Sequence, residues 1–180
     1  MFKYLGLLLV LFSWAILIAL ILRRRDIKLR TISSHGAYSQ KAALYFAVTL
    51  IGLGVPFYFW ILYWLVPHIG LGAHFKIVIT MALLLNIITA IIVDSIGWRR
   101  IVHRITAASM FIAFLVMSLL IIHASGTSNY AQTIGWVLLT YILVSAIIVA
   151  ISNFGRRNAL IFEILFLMSV QGIILAAAYL

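Results

Sequence analysis

The stretch YLGLLLVLFSWAILIALILRRR, residues 4–25, decides the fold. Its apolar part, residues 4–22, has the length of about 20 residues that a helix needs to cross ~30 Å of hydrocarbon. Three consecutive arginines then end it, because charge is costly inside a bilayer. A signal peptide would have a shorter apolar core and small residues at a cleavage site, which this stretch lacks. We therefore predict a transmembrane helix that stays in place as an anchor.

Five further apolar stretches of similar length follow the first. They lie near residues 42–66, 76–94, 103–123, 132–152 and 159–179. The chain is 66% hydrophobic and 9% charged, whereas soluble domains carry about 25% charged residues. The stretches do not alternate apolar and polar residues, which excludes an outer-membrane barrel. The sequence predicts an all-α fold, a polytopic transmembrane helical bundle of six spans that forms a single domain over residues 1–180.

The basic residues lie mainly on one side of these spans. Eleven of the 13 follow the first, third and fifth spans, namely Arg23, Arg24, Arg25, Lys28, Arg30, Lys41, Arg99, Arg100, Arg104, Arg156 and Arg157. The other side carries Lys3 and Lys76. By the positive-inside rule, we expect the three basic loops to be cytoplasmic and both chain ends to be external. The predicted location is the cell membrane, specifically an inner membrane.

The net charge of +10 is explained by the same loops. Basic residues beside membrane spans attract anionic lipid headgroups, each contributing about 1 kcal/mol. We therefore expect membrane lipids rather than nucleic acid as partners. The predicted headgroup contacts are Arg23, Arg24, Arg25, His35, Arg99, Arg100 and Arg104. The chain has no cysteine, which excludes disulfides, thiolate metal ligands and a cysteine nucleophile.

Three residues are candidates for a polar site on the cytoplasmic side. Asp94 ends the third span and His103 begins the fourth, and such a carboxylate and imidazole can orient a general base or bind a lipid phosphate. Glu163 lies inside the sixth span, where an unpaired charge is costly, so we expect it to face the bundle, to be protonated or to pair with a basic residue. The alternatives are that Asp94 and His103 only terminate helices and that Glu163 extends toward arginines at the interface.

The loop TISSHGAYSQ, residues 31–40, is longer than a tight connection requires. Its hydroxyl groups and His35 are predicted to fold back over the bundle beside His103, Asp94 and Glu163. There they would complete a pocket for a lipid headgroup.

Several uncharged residues inside the spans are predicted to serve packing. Gly52, Gly54 and Pro56 in the second span favour a kink or a close helix approach, because proline removes a backbone donor and glycine lets backbones touch. Asn86 and Gln171 are predicted to form hydrogen bonds between helices.

Three more histidines, His68, His74 and His123, are predicted to lie on the external side. Imidazoles near one surface can bind zinc or copper, but His68 and His74 lack helical i, i+4 spacing and no carboxylate lies nearby in the sequence. A haem held by His103 or His123 would need a second histidine, and the others fall in loops. We assign no metal and no cofactor.

The stretch TISSHGAYSQKAALYFAVTLIGLG, residues 31–54, followed by VDS, residues 93–95, and HRITAASMF, residues 103–111, resembles domain-of-unknown-function family 998 and its relatives of the FRAG/DRAM/Sfk type. The resemblance covers roughly residues 31–123 and implies a six-helix membrane protein. Some eukaryotic relatives are linked to membrane-lipid maturation or trafficking. The family has leucine where this chain has His35, and its loop after the first span is usually drawn external.

The sequence therefore leads to one principal hypothesis, a small inner-membrane protein that binds or modifies a lipid headgroup at a cytoplasmic-side pocket. Whether it is an enzyme stays open, since nucleotide-binding, zinc-protease and nucleophile-elbow motifs are absent. One alternative is a non-enzymatic subunit that packs against another membrane protein or a second copy of itself. The others are a b-type cytochrome and a proton-coupled transporter built on Glu163.

The predicted orientation can be tested by labelling, because the chain has no cysteine. We expect a membrane-impermeant maleimide to label Ser128→Cys in intact cells but not Ser34→Cys, and to label both after permeabilisation. Labelling of Ser34→Cys alone in intact cells would contradict the positive-inside orientation.

Overall fold

The computed structural model describes residues 2–22, 31–32, 39–92 and 97–180, without the side chains of Leu20 and Arg156. Within these residues, six helices are long and apolar enough to cross a membrane. They are α1 (Phe2–Leu22), α2 (Gln40–His68), α3 (Ala73–Ile91), α4 (Trp98–Ile122), α5 (Asn129–Ile151) and α7 (Ala159–Tyr179), with a short helix α6 (Asn153–Arg157) between the last two. The predicted all-α, six-span membrane bundle is confirmed.

Serine side chains start three of the helices. The hydroxyl oxygens of Ser39, Ser128 and Ser152 accept hydrogen bonds from backbone N–H groups in the first turns of α2, α5 and α6, at 3.2, 3.1 and 2.9 Å. Each such cap satisfies a donor that the helix itself leaves unpaired, and its removal costs about 1 kcal/mol. Gly97 precedes α4 with a φ of 74°, a conformation that glycine adopts readily.

Helix α2 contains both the predicted close approach and an irregular turn. A Cβ atom added to Gly54 would lie 2.8 Å from Nδ2 of Asn86, so the glycine lets α3 approach α2 closely. Pro56 lies inside the helix, and a π-helical turn follows at Ile61–Leu65 before the helix ends at His68. A kink or a close helix approach was predicted for this span, whereas the π-helical turn was not.

One end of the bundle, which we call the aromatic end, is closed by a dense core. Trp60, Leu65 and Ile69 are fully buried there, and the ring of Trp64 stacks on those of Trp60 and Tyr179. Trp60 also donates a hydrogen bond from Nε1 to the backbone oxygen of Phe2, at 3.1 Å, which ties α1 to α2.

The opposite end, the basic end, is where α1, α3 and α5 finish and α2, α4 and α7 begin. A second buried cluster consists of Leu17 of α1, Phe46 of α2 and Ile32, which precedes α2. It packs against Leu160 and Ile164 in the first turns of α7. The exposed basic side chains Lys41, Arg99, Arg100, Arg104 and Arg157 lie at this end.

Candidate functional site

A cavity of about 740 Å³ lies inside the bundle, and each of the six long helices contributes to its wall. Along α7 the wall runs from Ala159 to Ile174, a rise of about 22 Å at ~1.5 Å per residue. Its far limit is formed by Ile61, Met117 and Ile174, which are also part of the buried core of the aromatic end. The cavity is therefore long, and it is closed at the aromatic end.

The wall of the cavity is mainly apolar, with polar side chains in places. The polar lining residues are Ser13, Thr31, Thr49, Tyr58, Asn86, Thr89, His103, Ser145, Glu163 and Gln171. Thr31, His103 and Glu163 belong to the basic end, and we call these three residues the polar group. The aromatic lining residues include Phe111, Phe114, Phe162 and Phe166.

Glu163 lies about one helical turn after the start of α7 and lines the cavity. Its Oε2 atom accepts a hydrogen bond of 2.7 Å from the backbone N–H of Ile32. Ile32 is only 3% exposed and packs against Leu17 and Phe46. The segment Thr31–Ile32 therefore enters the bundle, and Glu163 satisfies a backbone donor that would otherwise be buried without a partner. In the described part of the chain, this carboxylate has a backbone partner and no basic one.

His103 lies in the second turn of α4, is 4% exposed and lines the same cavity. Its Nδ1 atom lies 2.6 Å from the carbonyl oxygen of Ile92, at the end of α3. Because a carbonyl only accepts, Nδ1 carries a proton and donates it to this bond, and in a neutral ring Nε2 is then an acceptor. Among the described residues, Nε2 has no hydrogen-bond partner. His103 therefore joins α3 to α4 and retains one nitrogen for a ligand.

Two buried hydroxyl groups add to the polar character of the wall. Thr49 and Ser145 are 8% and 4% exposed and line the cavity. Neither makes a hydrogen bond to another residue in the described ranges. A buried hydroxyl normally has a partner, so these two groups are available to a ligand or to water. Hydroxyl residues are common inside membrane bundles, so the sequence alone does not single out Thr49 or Ser145.

The two amides inside the spans form the predicted hydrogen bonds between helices. Asn86 donates from Nδ2 to the backbone oxygen of Leu50, at 3.2 Å, joining α3 to α2. Trp14 donates from Nε1 to Oε1 of Gln171, at 2.6 Å, joining α1 to α7. Both predictions are confirmed, and both amides also line the cavity.

The other predicted site residues lie outside the cavity or outside the described residues. Arg99, Arg100 and Arg104 are exposed on the first two turns of α4 and do not contribute to the lining. The guanidinium of Arg99 lies 5.8 Å from the ring centre of Trp98. Arg23, Arg24, Arg25, His35 and Asp94 lie outside the described residues. The proximity of Asp94 and His103 therefore stays a prediction.

Two of the three histidines predicted on the external side contact aromatic rings. His68 stacks on Trp64 with ring centres 4.8 Å apart, and His123 meets Trp136 edge-on at 5.5 Å. Over the described ranges, no three His, Cys, Asp or Glu side chains are grouped closely enough to hold a metal ion.

No protein-family model matches the chain, and no curated protein or solved structure matches it either. The resemblance of residues 31–123 to family 998 thus stays a prediction. A functional assignment depends on the cavity and its polar group.

The bond between Ile32 and Glu163 generates a prediction about local stability. In Glu163→Ala the buried Ile32 N–H loses its acceptor, at a cost of about 1.5–3 kcal/mol for a bond to a charged group. We expect hydrogen–deuterium exchange at Ile32 to become at least about tenfold faster, since ~1.4 kcal/mol is a factor of ten. Glu163→Gln keeps an acceptor oxygen and should retain most of the protection. Equal exchange in the wild type and Glu163→Ala would show that the bond does not hold this segment.

Proposed function

We propose that the protein binds a membrane lipid, with one hydrocarbon chain inside the cavity and the headgroup at the polar group. The observation that carries this proposal is the distribution of side chains along a single cavity. Apolar residues from all six long helices form most of the walls, while the lining at the basic end includes Thr31, His103 and Glu163. This is the polarity of an amphiphile.

The dimensions of the cavity support a chain of ordinary lipid length. From Glu163 to Ile174, α7 rises about 16 Å, which accommodates about 13 carbon–carbon bonds of an extended chain at ~1.25 Å per bond. The volume of about 740 Å³ lies within the range of roughly 300–1,000 Å³ that is usual for small-molecule sites. The cavity can thus take up a single hydrocarbon chain.

Selectivity must come from the polar group rather than from the walls. Moving a hydrocarbon chain from the bilayer into an apolar cavity gains little, because lipid tails are as apolar as the side chains. Hydrogen bonds and charges at the headgroup, in contrast, are stronger in a site shielded from water. Glu163 and His103 are the described residues best placed to distinguish one headgroup from another.

The exposed basic residues at the basic end support an orientation of the protein in the membrane and contacts with the surrounding lipids. Lys41, Arg99, Arg104 and Arg157 are exposed there, in the position that favours the cytoplasmic face. We propose that the basic end is cytoplasmic and that these side chains contact anionic headgroups of the surrounding inner-membrane leaflet. The lipid bound in the cavity would then enter from that leaflet.

The proposal can be tested by filling the cavity. Ala146 of α5 lines it, so Ala146→Phe should exclude part of a chain and lower the amount of lipid that co-purifies with the protein severalfold. Native mass spectrometry of the detergent-purified protein measures this occupancy.

Val144 on the same helix provides the matched control, because its side chain is 49% exposed and is not part of the cavity wall. Val144→Phe should retain lipid as the wild type does. Equal lipid retention in Ala146→Phe and Val144→Phe, with both proteins helical and monodisperse, would contradict chain binding in the cavity.

A further inference from the structure

We infer that the headgroup received by Glu163 and His103 carries a primary ammonium group, so that the ligand is a long-chain amine or an aminolipid. This inference rests on the proposed lipid-binding function and concerns the chemistry of the same site. It is independent of the basic residues on the surface, which contact lipids around the protein.

The charge of the cavity wall favours a cationic headgroup. Its described residues include one carboxylate, Glu163, and one imidazole, His103, but no lysine or arginine. Among the described lining residues, an anionic headgroup would therefore meet a carboxylate and no lysine or arginine. An ammonium group would supply the opposite charge, and the attraction is strong where water is excluded.

The second argument is the balance of hydrogen-bond donors and acceptors. An ionised carboxylate offers about four acceptor positions, and Ile32 fills one of those of Glu163. His103 uses Nδ1 to donate to Ile92, which leaves Nε2 of a neutral ring as an acceptor in the wall of the same cavity. A primary ammonium group has three donors and no acceptor. It is the common lipid headgroup element that complements a wall offering acceptors at Glu163 and His103.

The third argument is the aromatic wall beside Glu163. Phe162 and Phe166 lie on the same helix and line the cavity, and the ring of Phe166 packs against those of Phe111 and Phe114 with ring centres 4.9 and 6.1 Å apart. Aromatic faces attract cations. The same rings also form an apolar wall for the first carbons of the chain.

The free-energy cost of a charged carboxylate within a membrane span also favours a cationic ligand. A charged side chain within a membrane span is expensive unless it is paired. Among the described residues, Glu163 has a single backbone N–H as partner. A cationic ligand would supply the opposite charge that the described residues do not provide for Glu163.

The test compares amphiphiles of equal chain length on the full-length protein in a neutral detergent. Hexadecylamine, hexadecanol and hexadecyl sulfate are titrated, and native mass spectrometry gives the fraction bound. We expect the amine to bind about tenfold more tightly than the alcohol, with the sulfate weakest, because charge-assisted hydrogen bonds are the strong ones. In Glu163→Gln, which keeps an acceptor for Ile32, the amine and the alcohol should bind within about twofold of each other.

His123→Ala is the matched histidine control, because His123 is exposed near the aromatic end and does not line the cavity. It should preserve the preference for the amine, whereas His103→Ala should weaken it. Lysophosphatidylethanolamine separates two sources of the amine. Binding as tight as that of hexadecylamine would indicate an aminophospholipid, and weaker binding would indicate a free long-chain amine.

Two failures are distinguishable. If the alcohol and the sulfate bind the wild type as tightly as the amine, or if Glu163→Gln keeps the preference, the ammonium site is wrong while chain binding stands. If none of the amphiphiles binds, the proposed lipid-binding function fails as well. The ranking within the wild type is informative even if a variant does not fold.

Discussion

The hydrogen bond between the Ile32 N–H and the Glu163 carboxylate joins the segment after α1 to the start of α7 inside the bundle, and the candidate site depends on it. Backbone at membrane depth must have its polar groups satisfied within the protein. The sequence meets this constraint by placing a carboxylate one turn into α7, where it receives the segment that follows α1. The same contact brings Thr31 to the cavity and fixes Glu163 with acceptor capacity left for a ligand.

The two ends of the bundle have different roles. At the aromatic end, large side chains such as Trp60, Leu65 and Ile69 fill the space between helices and close the cavity. At the basic end, small residues such as Ala107 and Ala159 leave room beside the polar group. In the proposed lipid complex, the polar group would provide the main discrimination between headgroups, because Glu163 and His103 are the ionisable side chains in the described wall.

The sequence predicted the helices well and the interior poorly, for one physical reason. Length and hydropathy placed the second span near residues 42–66 and the third near 76–94, against Gln40–His68 and Ala73–Ile91 in the structure. The ends differ by a few residues because polar side chains such as His74 extend a helix into the interface, where hydropathy is uninformative. In a helix that is apolar on all sides, lipid-facing and interior-facing residues look alike. The cavity wall and the π-helical turn at Ile61–Leu65 therefore had no sequence signal.

Glu163 and His103 were the exceptions among the interior residues, because both were selected from the sequence. A carboxylate inside a span must face the protein, which is why Glu163 was selectable from sequence alone. His103 was selected for its position at the start of a span, and the structure places both residues on one cavity. Thr49 and Ser145 were not selectable, because their unpaired hydroxyl groups become evident only when the surrounding helices are in place.

In the proposed complex, a lipid chain lies along the cavity with its terminal carbon at the aromatic end. A single-chain amphiphile with a photoreactive diazirine on its terminal carbon measures this directly, with peptide mapping of the cross-linked residue. We expect cross-links to the residues that close the cavity, Ile61, Met117 and Ile174. Cross-links confined to outward-facing residues such as Val144 and Ile147 would contradict the claim and place the chain in the surrounding bilayer.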